Sequence, residues 1–220
     1  MKKEEVIQND IEEIIAPMQS PYGPPPPIVS VKNHIYLYDE IDVTSARNFI
    51  SVLYQTALTM VGDSLENGYL LPPIIVHINS YGGTVNDALA IVQAIEDVKN
   101  GTITSVNNIP VPLIVGTQIE GEADSCASLI ACCGTKGYRT ISKDSLSLLH
   151  EVRQISPTGG KVEDIATMSI NLEMFQKIFK NIYMRNSSLT EEKFNEIIST
   201  EKYNTPEELL SYGLVDKIIW

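Results

Sequence analysis

GEADSCASLIACCG, Gly121 to Gly134, is the stretch on which the reading of this chain turns. A polar run opened by glycine gives way at Ser125 to small and apolar residues, the pattern of a strand and turn feeding a short, closely packed helix. At such a junction the Ser125 hydroxyl faces solvent, with the first N–H groups of the helix behind it. The other role open to Ser125 is that of a helix N-cap, its oxygen accepting a backbone N–H. The serine does not stand in a GxSxG elbow, so the α/β-hydrolase pattern is not met.

Two remote segments bear on that choice. NSYGG, Asn79 to Gly83, follows the apolar run Ile74 to Ile78 and precedes the helical spacing of Val85, Ala88, Leu89, Val92 and Ile95. A glycine pair at a strand-to-helix turn either bends the chain or lets its backbone approach a ligand and point N–H groups at it. The segment lacks the GxxxxGK[ST] spacing of a phosphate loop. Leu146 to His150 is an apolar stretch ending on an imidazole, either a base or a strand-end histidine satisfied by a nearby carbonyl. Jointly the three segments supply a nucleophile, a base and backbone donors for an oxyanion.

Around them, short apolar runs alternate with helical patterns, which predicts an α/β domain with a largely parallel sheet. Strands are expected at His34–Tyr38, Ile74–Ile78, Val111–Val115, Gly137–Ile141, Leu146–Leu149 and near Val215–Ile219. Helices are expected at about Thr44–Met60, Thr84–Val98, Ala123–Cys133, Val162–Met184, Thr190–Ser199 and Pro206–Ser211. The last is marked at both ends: Thr205 as N-cap, Pro206 in the first turn, Glu208 completing a capping box, and Gly213 beyond the end.

Composition narrows the function classes. The chain has 220 residues, 43% of them hydrophobic, enough for one packed domain, which is placed at residues 31–220. Residues 1–30 are read as an arm, acidic and then proline-rich at SPYGPPPP, either a plain spacer or a ligand for a proline-recognising partner. The net charge of −12 comes without a basic stripe, so no nucleic-acid groove is expected. MKKEEVIQNDIEEII has no apolar signal core and no apolar run approaches bilayer length, so a cytoplasmic protein without membrane contact is expected. Cys126, Cys132 and Cys133 crowd into one predicted helix and suit neither a disulfide framework nor a spaced zinc site.

Gly121 to Arg139, GEADSCASLIACCGTKGYR, resembles the active-serine segment of the Clp protease proteolytic subunit family (ClpP), in which an AAGTKGKR-like run follows the serine. NSYGG stands where that family reads NSPGG, LLHEV where it has a MIHQ-like strand end, and its YGLVD signature is intact at Tyr212 to Asp216. Order and approximate spacing agree from about Ile35 to Ile219. The resemblance implies a ClpP and crotonase type of α/β fold, a superhelix of ββα units with a largely parallel sheet and a protruding handle. It implies Ser125 as nucleophile, His150 as general base, and the backbone N–H groups of Gly83 and Cys126 as the oxyanion hole. It further implies a serine endopeptidase that cleaves unfolded or sequestered polypeptides through an acyl-enzyme inside a self-assembled ring, with no metal or organic cofactor in the triad. The pattern Val162–Met184 after Gly159 and Gly160 corresponds to the handle that interdigitates two stacked seven-membered rings, and ATP would be used by an AAA+ unfoldase partner.

The departures are as informative. Counting back from the YG of YGLVD puts Glu201 where the family carries its triad aspartate; glutamate is one methylene longer, so the backbone must sit back by ~1.5 Å. A solvated surface role is the alternative for Glu201, and alignment on Pro206 instead would bring up Thr200, which carries no charge. KNGTITSVNNIPVP lengthens the interval before Ser125 by roughly a dozen residues, as a surface loop or hairpin. The Cys126 thiol beside the nucleophile is expected to sensitise an enzyme to alkylation. The arm replaces the family's axial-loop region, which helps dock the unfoldase. Four functions stay open: a degradative subunit, a phage-type processing protease of the same fold, an inactive structural ring subunit for which Glu201 is the best argument, and an acyl-CoA-handling crotonase-fold member, which would not use Ser125 and His150 as a pair.

Overall fold

The computed structural model of the chain describes residues 28–153 and 162–220. The first 27 residues of the arm, and Gly159 and Gly160 before the proposed handle, lie outside them. In chain order come β1 (Val29–Val31), β2 (His34–Leu37), α1 (Val43–Asn67), β3 (Ile74–Ser80), α2 (Val85–Lys99), β4 (Val115–Asp124) and α3 (Cys126–Cys132). They are followed by β5 (Arg139–Ser142), β6 (Leu146–Leu148), α4 (Val162–Asn186), α5 (Glu191–Thr200), β7 (Tyr203–Asn204), α6 (Pro206–Ser211) and β8 (Lys217–Ile219). The sheet runs β1-β2-β3-β4-β5-β8, parallel from β2 onward, and β6 joins β4 in parallel while pairing β7 antiparallel. This is the expected mixed α/β arrangement around a largely parallel sheet.

β4 is the central strand, and it is not where the apolar residues suggest. A strand was expected at Val111–Val115, but the strand begins at Val115 and runs through the polar GTQIEGEAD. Pro110 and Pro112 have no N–H to give a ladder, so pairing starts beyond them. The strand then alternates: Val115, Thr117 and Ile119 are buried, whereas Gln118 and Glu120 point to the other face. On that face Glu120 is occupied by its neighbours. His77 Nδ1 lies 2.8 Å from Glu120 Oε1 and His77 Nε2 lies 2.8 Å from His34 Nδ1. Tyr38 donates to the same carboxylate, and Tyr36 stacks on His77 at 4.5 Å between ring centroids.

The buried face carries Ile35 and Leu37 of β2, Ile74, Val76 and Ile78 of β3 and Val115 and Ile119 of β4, packed with Phe49 and Leu53 of α1, Ile91 and Ile95 of α2 and Leu129 of α3. α1 starts one residue early and outruns its expected end by seven residues to Asn67, where Gly68 takes a left-handed conformation (φ 70°). Its start is fixed by a capping box between Asp42 and Ser45. α6 has the predicted box, Glu208 N–H to Thr205 Oγ1 at 3.3 Å and Thr205 N–H to Glu208 Oε2 at 2.9 Å. The inserted interval is a hairpin at its tip: Val106 and Ile109 exchange two 2.9 Å backbone bonds across Asn107 and Asn108, both at positive φ.

The last residue of the Gly121–Arg139 segment and the last residue of YGLVD meet in one buried ion pair. Arg139, 2% exposed, directs Nε and Nη2 to the two oxygens of Asp216 at 2.9 and 2.6 Å, the fork geometry that favours arginine over lysine. Its remaining nitrogen reaches the carbonyls of Cys132, at the end of α3, and Asn186, at the end of α4. Asp216 also accepts the N–H groups of Gly137 and Arg139. Burial acts to raise the Asp216 pKa, but these donors outweigh it and hold the carboxyl below its ordinary value.

Removing one partner leaves the other buried and unpaired, so Arg139→Gln is expected to lower stability by about 3–5 kcal/mol in urea unfolding. The sign of the pH effect follows from the depressed value: the unfolded chain protonates Asp216 first as pH falls. The contribution is therefore whole above the usual carboxylate range near pH ~4 and is lost as pH drops through the lower folded value. Unfolding curves between pH 5 and 3 are expected to be shallower in pH for Asp216→Asn than for the wild type; equal slopes would remove this pair from the acid response.

Candidate active site

β4 changes partner along its length. Thr117 to Ile119 pair with β5, whereas Glu122 to Asp124 pair with β6. The bend between them is at Gly121 (φ 85°), where an added Cβ would lie 2.6 Å from Asn79 Oδ1, the atom that accepts the Glu122 N–H. The β4–β6 register sets Asp124 opposite Leu148, and one residue further the Ser125 N–H donates to the Leu148 carbonyl at 2.8 Å. Ser125 is thereby held two residues from His150 across a ladder.

Ser125 has φ 54° and ψ −121°, a conformation that costs a residue with a side chain about 1–3 kcal/mol. Its carbonyl is fixed by three donors: the N–H groups of Ser128 and Leu129 at 3.1 and 3.3 Å, and Ser128 Oγ at 2.7 Å. Ser128 Oγ in turn lies 2.5 Å from the hydroxyl of Tyr183 on α4, and both are buried. The Ser125 side chain makes no capping bond to α3, which excludes the N-cap role. Sequence reading missed Ser128 and Tyr183, which are 55 residues apart and carry no motif.

The glycine pair faces this elbow. A Cβ on Gly82 (φ 97°) would stand 2.7 Å from the Asp124 carbonyl and 2.8 Å from Ser125 Cβ; one on Gly83 (φ 154°) would stand 2.1 Å from the Ile41 carbonyl. Glycine is needed here for close approach and for φ together. Among the described residues, neither the Gly83 N–H nor the Cys126 N–H donates to another group of the chain.

His150 shares with Ser125, Gly83 and Cys126 a cleft of about 320 Å³, closed on other sides by Val85, Val152 and Phe179. His150 Nδ1 lies 2.6 Å from the Glu151 carbonyl. A carbonyl only accepts, so Nδ1 carries a hydrogen, and in the neutral tautomer this leaves the lone pair on Nε2.

Glu201 is placed beside this cleft but not on His150. It caps α5 in a left-handed conformation (φ 49°), and its carboxylate pairs with Arg153, which also lines the cleft. The Arg153 guanidinium, with a smaller contribution from the charge of His150, holds the Glu201 carboxyl below its usual range. A second carboxylate, unforeseen from sequence, is Asp124. It is 4% exposed, accepts the Leu148 N–H at 2.9 Å and meets the Tyr203 hydroxyl, and burial pushes its pKa up.

The Cys126 thiol is 1% exposed and donates to the Gly83 carbonyl at 3.3 Å, so it braces the elbow. Burial pushes its pKa up to about 11, which leaves little thiolate at neutral pH. The expected sensitivity to alkylation is therefore corrected: the thiol adjoins the candidate nucleophile but is neither accessible nor ionised. All three cysteines are buried and free. A chromogenic disulfide reagent at pH 8 is expected to react with none in the native protein and with all three in denaturant; rapid native reaction at Cys126 would contradict the burial.

Residues 29–220 match the Clp protease family model. The chain is 31% identical over 147 residues to the ATP-dependent Clp protease proteolytic subunit 2 of Streptomyces coelicolor, covering 66% of this chain and 61% of that protein. It is 25% identical over 184 residues to proteolytic subunit 1 of Corynebacterium glutamicum (84% and 77% covered). It is 27% identical over 169 residues to the proteolytic subunit of Streptococcus gordonii (77% and 76% covered).

Proposed function

Because the chain belongs to the Clp protease family, we propose that it is a serine endopeptidase in which Ser125 is the nucleophile and His150 the general base. The observation that carries this reading is the strained Ser125 sharing one cleft with an imidazole whose Nδ1 is turned to a carbonyl and with two N–H groups that are uncommitted among the described residues. Ser125 Oγ attacks the peptide carbonyl carbon as His150 Nε2 takes its proton. The oxygen that becomes negative is received by the Gly83 and Cys126 N–H groups. The C–N bond then breaks, His150 returns the proton to the leaving amine, and water, deprotonated by His150, hydrolyses the acyl-serine. Glu201 completes the triad when it reaches Nδ1–H, stabilising the imidazolium; its partner Arg153 is exposed, so that exchange is not resisted by burial.

The domain is read as residues 31–220 with residues 1–30 as its arm. α4 is read as the handle of a ring assembly. Ile170, Met174 and Ile178 recur every four residues along it and are 58, 59 and 39% exposed, an apolar stripe that suits contact with another copy. Unfolded or sequestered polypeptides are the proposed substrates, with an AAA+ unfoldase as possible partner. No described helix is long and apolar enough to cross a membrane. The inactive ring subunit is the second reading, favoured by the Glu201–Arg153 pair, since among the described residues His150 Nδ1 meets a backbone carbonyl and not a carboxylate.

A fluorophosphonate probe separates the two. Labelling of Ser125 that disappears in Ser125→Ala is expected, with Ser125→Ala and His150→Ala each lowering kcat on unfolded substrates by at least ~10⁴-fold. Glu201→Gln is expected to cost up to ~10⁴-fold. Absence of labelling at every pH would assign the chain to the structural role, and turnover surviving either alanine variant would move the chemistry to other residues.

A further inference from the structure

Arg153 stands where three features meet. It lines the Ser125 cleft, it lines the adjoining groove of about 490 Å³ with Asn86, Leu172 and Phe175, and it binds the carboxylate proposed to serve His150. A polypeptide lying across Ser125 into that groove must pass the guanidinium. We propose that Arg153 is a substrate-responsive latch: it holds Glu201 away from His150 until an acidic side chain of the bound polypeptide takes the guanidinium and releases Glu201 to His150 Nδ1. This rests on the peptidase reading of the same site.

Arg153 and Glu201 have side chains 60 and 43% exposed, and an ion pair so open to water is weak enough for an incoming carboxylate to displace. Arginine offers its fork equally to either carboxylate. Glu201 is held next to the cleft, since the Arg153 it pairs with lines the same cleft as His150, and the Glu151 carbonyl holds Nδ1–H ready for the exchange. Among the described residues, the acids near Arg153 besides Glu201 are Glu151 in the cleft wall and Glu40, which also lines the groove. In a chain of net charge −12, Arg153 is, among the described residues, the cation of the cleft wall at which an acidic side chain can dock. Coupling is reciprocal: whatever frees Glu201 for His150 also favours acidic substrates at Arg153.

Fluorogenic peptides differing only by Glu or Gln at successive positions flanking the scissile bond test the latch. In the wild type at least one position is expected to give kcat about fivefold or more higher for Glu than for Gln, a change in kcat rather than KM alone. Arg153→Gln is expected to raise kcat on the Gln peptide, erase the difference, and speed fluorophosphonate labelling of Ser125 without peptide. Arg153→Lys, which keeps charge but not the fork, is expected to retain a reduced difference. The latch is overturned if no position distinguishes Glu from Gln, if Arg153→Gln keeps the difference, or if it lowers kcat on both peptides while Ser125 still labels. A wild type whose Ser125 never labels overturns the peptidase reading itself and the latch with it.

Discussion

One hydrogen bond, from the Ser125 N–H to the Leu148 carbonyl, ties the candidate nucleophile to the strand that ends at the candidate base. It exists because β4 exchanges β5 for β6 as its neighbour midway, and that exchange requires the bend at Gly121 against Asn79. A straight β4 would continue beside β5 and leave Leu146 to His150 without a ladder. The β-sheet register therefore brings the Ser125 and His150 segments, 25 residues apart, together by backbone pairing, and the Asp124 carboxylate reinforces it by accepting the Leu148 N–H.

The strain at Ser125 is stored against that frame. Its carbonyl is clasped by three donors at the start of α3, while α3 ends against Arg139, whose guanidinium reaches the Cys132 carbonyl and is itself held by Asp216. The same guanidinium reaches Asn186 at the end of α4, and α4 supplies the Tyr183 hydroxyl to Ser128. The short helix behind the serine is thus tethered at both ends to the same long helix. A conformation that costs of the order of 1–3 kcal/mol persists only where the surroundings over-determine it, and this double tether supplies that condition.

Much of this was legible in sequence, and the failures have physical reasons. The α6 caps, the glycine turn after β3 and the Ser125 and His150 segments announce themselves through local chemistry. β4 did not, because the polar Gln118 and Glu120 give no apolar strand signal along the chain; only His77 of β3 and Tyr38 just past β2 pair with Glu120 and make those polar residues acceptable on a sheet. Two-residue β7 and three-residue β1 exist through their partners rather than their own propensity. The role of Asp216 was visible as a signature but not as an ion pair, since Arg139 lies 77 residues away. Glu201 illustrates the limit most plainly: counting from a motif locates the residue, but which of two neighbours its carboxylate binds depends on Arg153, which no spacing rule includes.

Within the proposed triad, orientation and charge come from different sources. The Glu151 carbonyl sets the His150 tautomer, a task usually given to the triad acid, but a neutral dipole stabilises an imidazolium less than a carboxylate does. Two carboxylates lie near enough to act on that charge. Asp124 is buried and spent on the Leu148 N–H, and burial disfavours its ionised form. Glu201 is exposed, with its ionised form favoured by Arg153, and sits on a single left-handed residue between α5 and β7. The fixed acid is thus the poorer source of charge and the movable one the better. On the proposed reading, catalytic competence in this cleft depends less on rebuilding the fold than on which cation, guanidinium or imidazolium, holds one surface glutamate.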